Sequence, residues 1–170
     1  EKDFKNQNAI RFVDRLGRHK DLVVNFWQNI DQLVSFYKRN PQEIFEGLPK
    51  ILLHGDLHHK NIQRNQSREI FVIDFEDSCY DSTSWDISRI LMELDQSETN
   101  SFIDNYMTKI PVEDKVLLRR AIDRDFVIRV ITESIGRQQR FGREGAKPYL
   151  SMYDKLYRER ISNILENDKD

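Results

Sequence analysis

The stretch at positions 51–74, ILLHGDLHHKNIQRNQSREIFVID, constrains this chain more than any other. An apolar run leads into a polar loop that carries Asp56 and Asn61. A second short run, the turn-forming Asn65-Gln66-Ser67-Arg68 and a third apolar run follow, and the last ends on Asp74. Apolar runs this short, bounded by turn residues, fit strands better than helices. Strands are therefore expected at Ile51–His54, Asn61–Arg64 and Ile70–Asp74, the last two as a hairpin. A carboxylate at the end of an apolar strand is costly unless a cation or donors meet it, which makes Asp74 a candidate functional group.

On both sides of this stretch the apolar spacing is helical. Leu22, Val23, Phe26, Trp27, Ile30, Leu33, Val34 and Tyr37 share one face, with Asn40-Pro41 as the stop and Pro41 able to start a further turn. A shorter helix with Ile10, Val13 and Leu16 precedes it. After Asp74 the segment Glu76–Ser84 reads as polar and irregular, and Ser84 is expected to cap a helix with Trp85, Ile87, Ile90, Leu91 and Leu94. A helix with Phe102, Ile103 and Tyr106 should end before Pro111. A long core helix then runs from Val112 to Ile135, begun by Pro111, Glu113 and Asp114. Gly136, Gly142 and Gly145 are expected to end it in a loop, and Pro148 to start a final helix with Leu150, Tyr153, Leu156, Tyr157, Ile161, Ile164 and Leu165. The fold class is α+β and mainly helical, one domain over 1–170, with a small β-hairpin sheet.

Composition narrows the function classes. Lys+Arg of 27 against Asp+Glu of 29 gives no global field toward nucleic acid or an anionic membrane. No apolar run approaches the roughly 20 residues that span a bilayer. Cys79 is the single cysteine, which rules out an internal disulfide and fits a reducing, cytoplasmic location.

Phosphoryl transfer to a hydroxyl asks for a carboxylate that orients the hydroxyl and accepts its proton, and for oxygen ligands to Mg²⁺ on the nucleotide phosphates. Kinases supply an Asp, an Asn shortly after it and a second Asp at the end of the following hairpin. Asp56, Asn61 and Asp74 stand in that order. One or two hard oxygen ligands suffice for Mg²⁺, because phosphates and water complete the octahedron. The Asp-x-x-x-x-Asn spacing alone is also what two capping residues would show.

HGDLHHKN, VIDFEDS and SWDIS, taken together, resemble the aminoglycoside phosphotransferase and choline kinase superfamily, which includes spore-coat kinase-like members. The resemblance runs from about Leu52 to Leu91. It implies a protein-kinase-like C-terminal lobe, with Asp56 as catalytic base, Asn61 and Asp74 as Mg²⁺ ligands, His54 bracing the loop and Asp86 anchoring it through backbone hydrogen bonds. ATP or GTP would be the co-substrate and a small molecule with a hydroxyl the acceptor. His58, Glu76, Asp77, Tyr80 and Trp85, with Asp81 nearby, are candidates for binding the acceptor, and a cationic one would suit carboxylates and aromatic faces. His59-Lys60 stands where the family often shows Pro-Gly. No Ala-Pro-Glu follows, which argues against a peptide substrate.

Before Ile51 the sequence has no strand Lys and no glycine-rich turn. The N-terminal lobe that grips the phosphates is thus expected to be absent, and this chain alone to bind nucleotide weakly and turn over little. Two alternatives remain. A kinase-like fold can persist as a binding or structural protein without activity. His54-x-Asp56-x-His58-His59 could instead hold Zn²⁺. Arg124, Arg129, Arg137, Arg140 and Arg143 hint at an anionic group, although a solvated face explains most of them.

Overall fold

The computed structural model describes residues 30–167. The expected helix around Ile10, Val13 and Leu16 and the first turns of the Leu22–Tyr37 helix lie outside the described residues. Gly47–Phe126 form one compact unit, and residues 30–46 and 127–167 belong to a second. Among the described residues the architecture is mainly helical with two small antiparallel sheets, and no helix is long and apolar enough to cross a membrane.

In the second unit, helix α1 (Ile30–Arg39) stops where the sequence suggests. The Asn40 backbone amide and side chain both donate to the Phe36 carbonyl, at 3.0 and 2.9 Å, which closes the last turn of the helix. A 3₁₀ turn, Gln42–Phe45, follows Pro41.

The unit that carries the motifs begins with β1 (Ile51–Leu53). The hairpin expected from the sequence is β2 (Ile62–Arg64) paired with β3 (Ile70–Val72), in the register Ile62↔Val72 and Arg64↔Ile70. Its loop is closed by Asn65, whose side-chain oxygen accepts from the Glu69 amide at 2.9 Å. The partner of β1 was not legible. Strand β4 (Cys79–Asp81) lies within the segment expected to be irregular and pairs Ile51↔Asp81 through Leu53↔Cys79. Asp81 is therefore buried on a strand and does not belong to an exposed acidic loop.

Helix α2 (Ser84–Leu91) buries Ser84, Ile87, Ser88 and Leu91, the i, i+3, i+4, i+7 stripe of a helix facing a core. Ser84 is its first residue and not its cap. Its hydroxyl donates to Asp125 Oδ2 at 2.6 Å and meets the Ser82 hydroxyl at 2.5 Å. Arg124, only 2% exposed, donates to the other Asp125 oxygen at 3.2 Å. A solvated face does not account for this arginine, since an acidic neighbour offsets the burial of its charge. Helix α3 (Gln96–Lys109) opens with a reciprocal cap, in which Asp95 accepts from the Glu98 amide and Glu98 from the Asp95 amide.

Asp114 caps the start of α4 (Lys115–Asn167) by accepting from the Leu117 amide at 2.8 Å. Of the interruption expected at the glycines, a kink between two helices at Gly142 forms, without a loop. The helical run continues through Gly136, Gly145 and Pro148 and is broken at Gly142, where φ is 69° and ψ 176°. A helix-interior glycine costs only about 1 kcal/mol, too little to end a helix by itself. Leu118, Ala121, Ile122 and Phe126 are buried in the motif-bearing unit. Ile131, Tyr157, Ile161, Ile164 and Leu165 are buried in the other.

Candidate active site

β1 delivers the chain into a tight loop at His54-Gly55-Asp56. Gly55 has φ of +90°, and a Cβ there would lie 2.1 Å from the Asp77 carbonyl oxygen, so only glycine fits. Two consecutive amides of this loop, His54 and Gly55, donate to the two oxygens of Asp86 at 2.8 and 2.9 Å. Asp86 is buried in the first turn of α2. A single carboxylate thus satisfies both donors, each of which would otherwise be costly to bury.

The His54 ring links this loop to the end of the hairpin. Its Nε2 lies 2.7 Å from the Ile73 carbonyl, which can only accept, so Nε2 carries the proton. Nδ1 then accepts from the Asp56 amide at 3.3 Å. With both nitrogens engaged by backbone, His54 has no lone pair for a metal, and the Zn²⁺ alternative loses one of its ligands.

Asn61 ends the 3₁₀ turn His59–Asn61 and is buried. Its amide nitrogen donates to the Asp56 carbonyl at 3.0 Å, and its own carbonyl accepts from the Ile73 amide at 3.0 Å. The loop at 54–61 is therefore bonded to Ile73 at the end of the hairpin. Asp74 follows at once, exposed, with a left-handed φ of 68°. Aspartate tolerates that region better than most residues, but strain of this kind concentrates at functional sites.

The Asp56 carboxylate is met from two sides. Arg89 Nε donates to Oδ1 at 2.9 Å, and His58 Nε2 stands 3.4 Å from Oδ2. His58 Nδ1 accepts from the Lys60 amide at 3.2 Å. Arg89 also reaches Glu93 at 3.2 Å, and Glu93 in turn accepts from the His59 amide and side chain. Burial alone would raise the Glu93 pKa. The hydrogen bonds from His59 and the Arg89 charge outweigh it and hold this carboxyl below the ordinary glutamate range. His58, His59 and Glu93 bring ligating atoms within 4.8 Å of one another. The Arg89 guanidinium beside Glu93 makes this set a hydrogen-bonded array rather than a cation site.

Of the remaining candidates, Glu76, Asp77 and Tyr80 are exposed on the turn and strand after Asp74, and Trp85 is half-buried in the first turn of α2. Sequence reasoning missed Arg89 and Glu93. Their spacing from Asp86 by three and seven residues, on one helical face, was the available signal.

Similarity to known proteins agrees with this arrangement. An uncharacterized protein of Mycoplasma pneumoniae, the MG356 homolog, is 34% identical over 82 residues, which cover 46% of this chain. The chain spans only 29% of that relative's length. No solved structure matches. Residues 5–115 match the family model of the phosphotransferase enzyme family (APH), in keeping with the HGDLHHKN and VIDFEDS motifs, and the chain belongs to that family.

Proposed function

We propose that the protein is a small-molecule kinase that moves the γ-phosphoryl group of ATP or GTP onto an acceptor hydroxyl. This chain would be its C-terminal lobe, working in the cytoplasm with a phosphate-gripping N-terminal lobe. The observation that carries the reading is the bonding of His54 and Asn61 to Ile73 at the end of the hairpin, with Asn61 also bonded to the Asp56 carbonyl. These backbone bonds support the reading because they tie the loop that carries Asp56 and Asn61 to the strand end that Asp74 follows.

The residues suit a hard divalent cation. The Asn61 nitrogen is used on the Asp56 carbonyl, which leaves its side-chain oxygen as the ligating atom, and the exposed Asp74 adds a carboxylate. Mg²⁺ held there would neutralise charge on the nucleotide phosphates. Asp56, 42% exposed, orients the acceptor hydroxyl and takes its proton. The new oxygen–phosphorus bond forms as the bridge to the leaving nucleoside diphosphate breaks. The Arg89 charge beside Asp56 favours a neutral polyol-type acceptor over the cationic one that Glu76, Asp77, Tyr80 and Trp85 would suit.

The test is turnover of Mg-ATP and Mg-GTP by the complete protein beside Asp56→Ala. A fall of about 10²- to 10⁴-fold is expected on losing a general base. Equal rates would defeat the enzyme reading in favour of a kinase-like binding or structural protein.

A further inference from the structure

Asp86, Arg89 and Glu93 follow one another at i, i+3 and i+7 from the first turn of α2 to just past its end. Each meets a successive piece of the same loop. Asp86 takes the amides of residues 54 and 55, Arg89 takes the side chain of residue 56, and Glu93 takes the amide and ring of residue 59. The arrangement is ordered along the helix as the loop is ordered along the chain. Arg89 occupies the middle place and is the member that touches the carboxylate itself.

We infer that Arg89 is a positioning residue for Asp56, with Glu93 orienting Arg89 in turn; this rests on the phosphotransferase reading. A half-exposed aspartate on a loop samples several rotamers, and each unproductive one removes the base from the acceptor hydroxyl. The Arg89 Nε–H holds Oδ1 and so limits the rotamers the carboxylate can take. A guanidinium suits this task because its fork donates from Nε to Asp56 and from a terminal nitrogen to Glu93 at once. Lysine has no such fixed fork. Arg89 is held on both sides by acidic groups and its side chain is 21% exposed. It therefore acts through Asp56 and does not contact the transferring phosphoryl group.

The experiment measures kcat and KM for Mg-ATP and Mg-GTP in the complete protein with Arg89→Met, Arg89→Lys, Arg89→Ala, Glu93→Gln and Asp56→Ala. Arg89→Met should lower kcat by about 10²-fold, the scale of an ångström-level misplacement, with KM for the nucleotide unchanged. Arg89→Lys should recover only part of this, Glu93→Gln should lose less, and ethylguanidinium added to Arg89→Ala should restore part of kcat. A loss of folding would instead lower the active fraction, which ethylguanidinium would not restore. If Arg89→Met keeps the wild-type kcat while Asp56→Ala abolishes turnover, the positioning role is wrong and the kinase reading survives. If Asp56→Ala turns over like the wild type, or the wild type does not turn over at all, the kinase reading falls first. If KM rises while kcat holds, Arg89 binds nucleotide and the inference is overturned.

Discussion

The loop at 54–61 and the turn at 73–78 meet at the same site but are built in opposite ways. The loop is gripped by α2, its amides are satisfied by a buried carboxylate, and His54 and Asn61 are buried. The turn carries exposed Ile73 and Phe75, the latter 53% exposed, around an aspartate in the left-handed region. Asp56 thus sits on a frame gripped by α2, whereas Asp74 sits on a turn held from within by the Ser78 amide and hydroxyl on the Phe75 carbonyl, at a backbone conformation few L-residues favour.

The sharpest way to break this contrast is Asp86→Ala. It leaves the His54 and Gly55 amides without their acceptor, at about 1–3 kcal/mol for each donor. A loss of about 4 kcal/mol in urea unfolding is therefore expected, with His54 and Gly55 losing protection from hydrogen exchange. An intact midpoint would show that the loop does not depend on α2.

Asp74→Gly tests the opposite side. Glycine removes the cost of a positive φ, about 1–2 kcal/mol for an L-residue, against its own entropic cost of about 0.5–1. Stability should hold or rise by about 0.5 kcal/mol, while Mg²⁺-dependent turnover of the complete protein falls. A clear loss of stability would mean that Asp74 serves the fold.

The smallest effect belongs to Glu93. Its carboxyl is held below the ordinary value of 4.5 despite the opposing effect of burial, through His59 hydrogen bonds and the Arg89 charge. Because the folded-state value is the lower one, the stabilisation is fully present above about pH 4.5 and is lost as the pH falls through the folded value. The margin of wild type over Glu93→Gln in urea midpoint should stay constant from neutral pH down to about 5 and shrink below it. A margin that persists at pH 3 would remove Glu93 from the charged array.

Local pattern reads well where one element's own residues decide it. The β2–β3 hairpin was legible because Asn65 closes its loop from within. The end of α1 was legible because Asn40 caps it locally. The strand character of Cys79–Asp81 was not, since it comes from pairing with Ile51–Leu53 across 26 or more residues. The helical course of α4 past Gly136 was also hidden, because one interior glycine costs only about 1 kcal/mol and does not by itself end a helix. Arg124 looked like a surface charge until Asp125 and Ser84 stood beside it.

The sequence by itself determined the family, the order of Asp56, Asn61 and Asp74, and the helical setting around a short hairpin, since each is carried by residue type and spacing along one strand or helix. Tertiary structure alone decided that His54 bridges to Ile73, that Asp86 bonds two loop amides, and that Arg89 meets the Asp56 carboxylate. Those contacts join positions 19 to 33 residues apart. Such a meeting is fixed by how whole elements pack, and nothing in the neighbouring residues encodes it.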